Sequence, residues 1–130
     1  RLLKLTAPDF DPRAVAYVES PVELPTSCHG SVEITNENPT GVTLFVQMET
    51  PGLVVLTDLW NKGWHAYRNG QRVPILQTNH AVRGVAMPAG NATVEFRYEP
   101  VSFRIGLLLA GVGAVAGVGL LILGRMESRL

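Results

Sequence analysis

Apolar and polar positions alternate with a period of two along two stretches of the chain. Val42, Leu44, Val46 and Met48 alternate with Thr43, Phe45, Gln47 and Glu49, and Val94, Phe96 and Tyr98 alternate with Glu95, Arg97 and Glu99. An extended strand sends successive side chains to opposite faces, so this period predicts strands with one buried face and one wet face. Residues 53–56 form a continuous apolar run, which predicts a strand covered on both faces. Residues 13–19, 31–35, 72–76 and 82–87 are weaker strand candidates.

Turn signals punctuate these runs. Asn69-Gly70 separates residues 64–68 from residues 71–75, and this dipeptide adopts the positive φ angles of a two-residue hairpin turn. Asn61-Lys62-Gly63 and Pro88-Ala89-Gly90-Asn91 break the chain in the same way, and Pro21 and Pro25 make residues 20–30 a loop or an edge. Short, evenly spaced strands without an intervening amphipathic helix predict a small antiparallel β-sandwich, Ig-like or jelly-roll-like. Asn91-Ala92-Thr93 matches a glycosylation tripeptide and marks an exposed turn.

The pattern changes completely after Arg104. Residues 105–124 carry no charged or strongly polar side chain, and Arg125 follows at once. A bilayer core of about 30 Å takes roughly 20 helical residues. Hydrocarbon offers no partner to an unpaired backbone group, so the segment must be helical. A domain this small has no interior that could surround such a helix, which predicts one transmembrane helix after the sandwich. The expected organisation is an extracytoplasmic β-sandwich over residues 1–103, a span over residues 104–125 and a short cytoplasmic tail over residues 126–130. Arg125 and Arg129, with Glu127 between them, nearly balance Arg97 and Arg104, so the orientation follows the analogy of exported sandwiches that precede a last span. Within the span, Gly106, Ala110 and Ala114, with Gly113 and Gly117, form series of small residues four apart. Such series let a second helix approach closely, and other transmembrane helices of the same parent chain are the expected partners. The sequence starts without Met and without a basic-then-apolar leader, so either a removed signal or further upstream spans are expected.

Composition narrows the function classes. Eleven Lys and Arg balance eleven Asp and Glu, and no basic cluster is present, so the expected partners are the lipid bilayer and other helices rather than nucleic acid. Cys28 is the sole cysteine, so no internal disulfide forms, and Cys28-His29 has no second cluster to complete a metal site or a nucleophile pair. His29, His65 and His80 occur singly, and no catalytic constellation, metal site or cofactor motif is expected. Asp58, at the end of an apolar strand, reads as a turn former bonded to the following backbone. Trp60, Trp64 and Tyr67 cluster in one strand–turn–strand segment. Such rings stack on sugars or seat at a headgroup layer, so they are the candidate ligand-binding residues; the competing role is that Trp64 fills the core while Trp60 covers an open end. Gly63 beside Trp64 suggests a backbone conformation that a side chain would disfavour.

One ordered series of short motifs goes further. It comprises Val54-Val55-Leu56-Thr57-Asp58, Trp60-Asn61-Lys62-Gly63-Trp64, Asn69-Gly70 and Val73-Pro74-Ile75, then Arg83-Gly84-Val85, Pro88-Ala89-Gly90 and Phe96-Arg97-Tyr98-Glu99-Pro100. Together with Asp9-Phe10-Asp11-Pro12-Arg13, this series resembles the C-terminal region of the YfhO-like family of bacterial multi-spanning membrane proteins, with Trp60-Asn61 standing where the family has Tyr-Pro. The resemblance implies a membrane glycosyltransferase that uses polyprenyl-phosphate sugars and modifies cell-wall or surface glycopolymers. In similar enzymes the catalytic acidic residues lie near the first spans, so none is carried over to this chain. The expected role is a non-catalytic accessory domain with the last span of such a protein. The alternatives are a single-span anchored module that binds a glycan, and a purely structural cap on the membrane domain.

Overall fold

The structure is a computed structural model that describes residues 5–11 and 14–128. Pro12 and Arg13 of the entry motif, the first residue of the 13–19 strand candidate and Arg129 lie outside the described residues. The chain divides into two compact units, Arg1–Tyr98 and Glu99–Leu130.

Among the described residues the first unit is a β-sandwich of eight strands: β1 (Gly30–Asn38), β2 (Gly41–Met48), β3 (Gly52–Leu59), β4 (Trp64–Arg68), β5 (Gln71–Val73), β6 (Leu76–Thr78), β7 (Val82–Met87) and β8 (Gly90–Tyr98). One sheet has the order β1-β2-β8-β4-β5 and the other β3-β7-β6, with antiparallel pairing throughout. The expected mainly β fold, an antiparallel sandwich followed by an apolar helix, is the fold observed.

The two clean alternations build the core. Val42, Leu44, Val46 and Met48 of β2 and Ala92, Val94 and Phe96 of β8 face Val54 of β3 and Val85 and Met87 of β7 in one cluster. Asn69 and Gly70, with φ of 50° and 81°, close the β4–β5 hairpin with Arg68 opposite Gln71, as the dipeptide predicts.

Three expectations are corrected. Residues 53–56 do not lie in a strand covered on both faces: β3 is an edge strand paired only with β7, and Leu53, Val55 and Leu56 are half-buried. Residues 72–76 are two strands, because Pro74 has no N–H to donate and the chain changes sheets there. Residues 14–19 form no strand. Their extended pairing is an isolated bridge from Val18 to Thr78, flanked by Glu19 N–H donating to the Gln77 carbonyl at 3.1 Å.

The second unit carries one helix, α1 (Val101–Glu127), 27 residues long. Pro100 stands at its N-cap with extended backbone, and Arg125 is the basic residue of its last turn, favourably placed at the negative end of the helix dipole. No residue of α1 is buried. It runs a few residues past the expected 104–125 at each end, because the apolar limits of a span are not the limits of helical hydrogen bonding.

Candidate functional site

Arg83 is the residue that the sequence pattern leaves unexplained. It stands in β7 on the same side as Val85 and Met87, and it is fully buried between the sheets. Its Nη2 donates to Asp58 Oδ2. Its guanidinium carbon lies 3.8 Å from the centre of the Trp64 ring and 5.4 Å from that of Phe96. Nε and Nη1 are buried and have no hydrogen-bond partner. Burial pulls the Arg83 pKa below its ordinary value, and the charge and hydrogen bond of Asp58 act against that shift.

A bulge places Asp58. The β3–β7 register passes from Leu56 opposite Arg83 to Leu59 opposite Val82, so Thr57 and Asp58 have no partners in the ladder. The extra residues re-aim the strand, and the Asp58 carboxylate, itself 57% exposed, reaches the guanidinium. Its other oxygen accepts from Leu59 N–H at 2.9 Å, which is the turn-forming role expected of it.

The three candidate rings do not share a surface. Trp64 opens β4 on its inner side, packs against the core and lies 5.2 Å from Tyr98, tilted by 51°. Tyr67, three residues on, projects from the opposite face of the same sheet. There Arg97 covers its ring at 4.6 Å, and Arg97 Nε donates to Glu95 at 3.0 Å. His65 and Arg72 stand on the same outer face, 2.8 Å apart between Nδ1 and Nη2. Trp60 is half-buried in the β3–β4 connection, where its N–H donates to the Ala81 carbonyl.

Gly63 also has a different explanation from the one its position suggested. Positive φ among the glycines is confined to Gly70 and Gly90. A Cβ on Gly63 would instead sit 2.5 Å from Tyr98 Cε2, so the glycine makes room for the ring that backs Trp64.

Where the sheets part, between edge strands β1 and β3, an apolar groove of about 420 Å³ is lined by Val32, Ile34, Leu44, Leu53 and Leu56 with Cys28. Among the described residues no three His, Cys, Asp or Glu side chains converge on a metal-sized site. On α1, a Cβ at Gly106, Gly113 or Gly117 would meet nothing within 4 Å, so these small residues lie uncovered. Ala110 and Ala114 are exposed beside them.

Arg83 and its cover were legible only in part. Arg83 interrupts the apolar side of residues 82–87, and that break in the alternation is the signal that marks it; its pairing with Asp58 was not legible, because 25 residues separate the two.

The family model of the bacterial membrane protein YfhO matches residues 29–110, running from the residue before β1 into the first turns of α1. No curated protein and no solved structure matches the chain. This match and the apolar helix of α1 place the chain at the membrane.

Proposed function

Because the chain belongs to the family of the bacterial membrane protein YfhO, we propose that its sandwich is the non-catalytic, extracytoplasmic accessory domain of a glycosyltransferase-like membrane protein acting on cell-wall or surface glycopolymers. In this reading residues 1–103 lie outside the membrane, residues 104–125 are the last span and residues 126–130 are the cytoplasmic tail. The observation that carries it is the continuity of one family pattern from β1 into α1, which joins the sandwich and the helix in a single membrane protein.

The spacing of the small residues Gly106, Ala110, Gly113, Ala114 and Gly117 supports packing of α1 against other spans. Lipid tails are as apolar as leucine, so helices in a bilayer associate by close van der Waals contact, which small residues permit. Within the sandwich, the ring we assign to glycan contact is Tyr67, on a face that also carries His65, Arg72, Glu95 and Arg97. Sugars offer apolar C–H faces to a ring and hydroxyls to planar polar side chains. Trp64, under the Arg83 guanidinium, is assigned to the core.

Two measurements test this. Deleting the gene should remove a sugar substituent from the surface glycopolymer, and supplying the wild-type gene should restore it; an unchanged sugar composition rejects the transferase reading. A Tyr67→Ala chain with native circular dichroism should restore less of the substituent if the sandwich guides the acceptor, and should restore all of it if the sandwich is only a structural cap.

Sidedness has its own test. Cys28 is exposed and is the sole cysteine of the sequence. A membrane-impermeant maleimide should label it in spheroplasts without permeabilisation. Labelling only after permeabilisation would put the sandwich in the cytoplasm and end this proposal.

A further inference from the structure

Leu59 is 72% exposed, more than any other large apolar side chain described before Val101. It stands where β3 passes into the β4 connection, beside half-buried Trp60 and exposed Lys62. This connection is held in place rather than left to collapse. Leu59 N–H donates to Asp58 Oδ1 at 2.9 Å, Trp60 N–H to the Ala81 carbonyl at 2.6 Å, Gly63 N–H to Asn61 Oδ1 at 2.9 Å and Trp64 N–H to the Asn61 carbonyl at 3.1 Å. A tightly bonded loop therefore presents a leucine to the outside, which burial in this domain does not account for.

The strand register locates the loop. Leu59 lies opposite Val82, and Trp64 lies opposite Tyr98, the last residue of β8. The loop is thus at the end of the sandwich from which the chain leaves for α1. The β6–β7 turn is at that end too, and Tyr17 is tied to it by its N–H, which donates to Asn79 Oδ1 at 2.8 Å. Tyr17 and nearby Val15 are 36% and 44% exposed. The turns at the opposite end, Glu49-Thr50-Pro51, Asn69-Gly70 and Pro88-Ala89, carry no large apolar side chain. The remaining exposed apolar residues of the sandwich, Val32, Ile34 and Phe45, stand within strands rather than at an end.

Covalent continuity then identifies what this end meets. Only Glu99 and Pro100 separate β8 from α1. Three Cα–Cα steps, from Tyr98 to Val101, reach at most about 11 Å. A helix as long as α1 measures about 40 Å, enough to cross the hydrocarbon core and enter both headgroup layers. The last residue of β8 is therefore held within about 11 Å of a headgroup layer.

We propose that Leu59, Trp60 and Lys62 form a membrane-contact loop that seats in the headgroup layer of the bilayer spanned by α1. Each residue suits one level of that layer. Leucine reaches the acyl boundary, indole favours the interface because one edge is polar and the rest apolar, and the lysine ammonium meets lipid phosphate. One carboxylate of this end, Asp58, is already paired with the Arg83 cation, which lessens its repulsion of anionic lipid. The contact is independent of the glycopolymer reading and holds for any activity of the parent protein.

The test uses the full chain with Cys28→Ser and Leu59→Cys, labelled with an environment-sensitive fluorophore and reconstituted in phosphatidylethanolamine–phosphatidylglycerol vesicles. A chain with Cys28→Ser and Asn69→Cys reports the opposite end, and matching circular dichroism confirms that both are folded. The probe at position 59 should emit at shorter wavelength and be quenched by lipids brominated near the headgroup, while the probe at position 69 should behave as in water. Equal, water-like emission at both positions overturns the proposal. Blue-shifted emission without bromolipid quenching at position 59 also overturns it, because the loop would then face protein. Without any label, shallow bromolipids should quench less of the tryptophan emission in Trp60→Phe than in the wild type, and identical quenching of the two rejects insertion.

Discussion

Trp64→Ala is expected to destabilise the sandwich by about 3–5 kcal/mol, the range for removing a large aromatic side chain from a packed site. The ring does more than fill volume. It backs Tyr98 and lies under the guanidinium of Arg83, a buried cation with two nitrogens that have no hydrogen-bond partner. An indole face attracts a desolvated guanidinium by about 2 kcal/mol or more, and alanine removes this attraction together with the packing. The measurement is the urea midpoint of the full chain in detergent, followed by circular dichroism, with the slope m unchanged. A loss below about 1 kcal/mol, the size of an ordinary point-mutant effect, would show that the ring is not part of the core. An unaltered midpoint with lost glycan affinity would make Trp64 a ligand platform.

The second large effect is an asymmetry between two partners. Asp58→Ala should cost about 2–4 kcal/mol, because it leaves the Arg83 charge buried without its counter-ion. The figure falls below that for a fully buried pair because Asp58 is 57% exposed and water already screens its side of the contact. Arg83→Met should be close to neutral or stabilising, since it removes the charge and the two unpartnered nitrogens while a flexible apolar side chain still covers Trp64. The double variant should then match Arg83→Met alone, so that the two changes are not additive. If Arg83→Met instead loses as much as Asp58→Ala, the guanidinium itself holds the sheets together through its contacts with Trp64 and Phe96.

The parts of the fold legible in the sequence share one property: each is encoded by neighbours along the chain. The alternation at Val42, Leu44, Val46 and Met48 and at Val94 and Phe96 marks two strands and their inward faces, because side-chain direction in a strand depends only on residue parity. Asn69-Gly70 marks its hairpin because the required φ angles belong to those two residues. The uniform apolar run after Arg104 marks a helix long and apolar enough to cross a bilayer, because both properties are read from consecutive residues. Residues 53–56 misled because an apolar run does not say whether a strand is central or at an edge. Pro74 split an apparent strand because the change of sheet is a tertiary event.

The candidate site divides along the same line. That Trp60, Trp64 and Tyr67 are close in sequence was plain, and so was the absence of a motif for covalent or metal chemistry. Their faces were not. Their odd separation puts Trp64 and Tyr67 on opposite faces of β4, but which face is inner was decided by pairing with β8, where Ala66 lies opposite buried Phe96. Gly63 is required by the Tyr98 ring, 35 positions away, and not by its own backbone. Asp58 and Arg83 meet only because a bulge in β3 lets a carboxylate reach across to β7. The sequence by itself therefore determined the β character, the hairpin turn and the long apolar helix, all of which follow from local geometry and local polarity. The tertiary structure alone decided the buried ion pair, the separation of the rings and the end of the sandwich at which Leu59 emerges, because each depends on strand order and register between residues far apart in the chain.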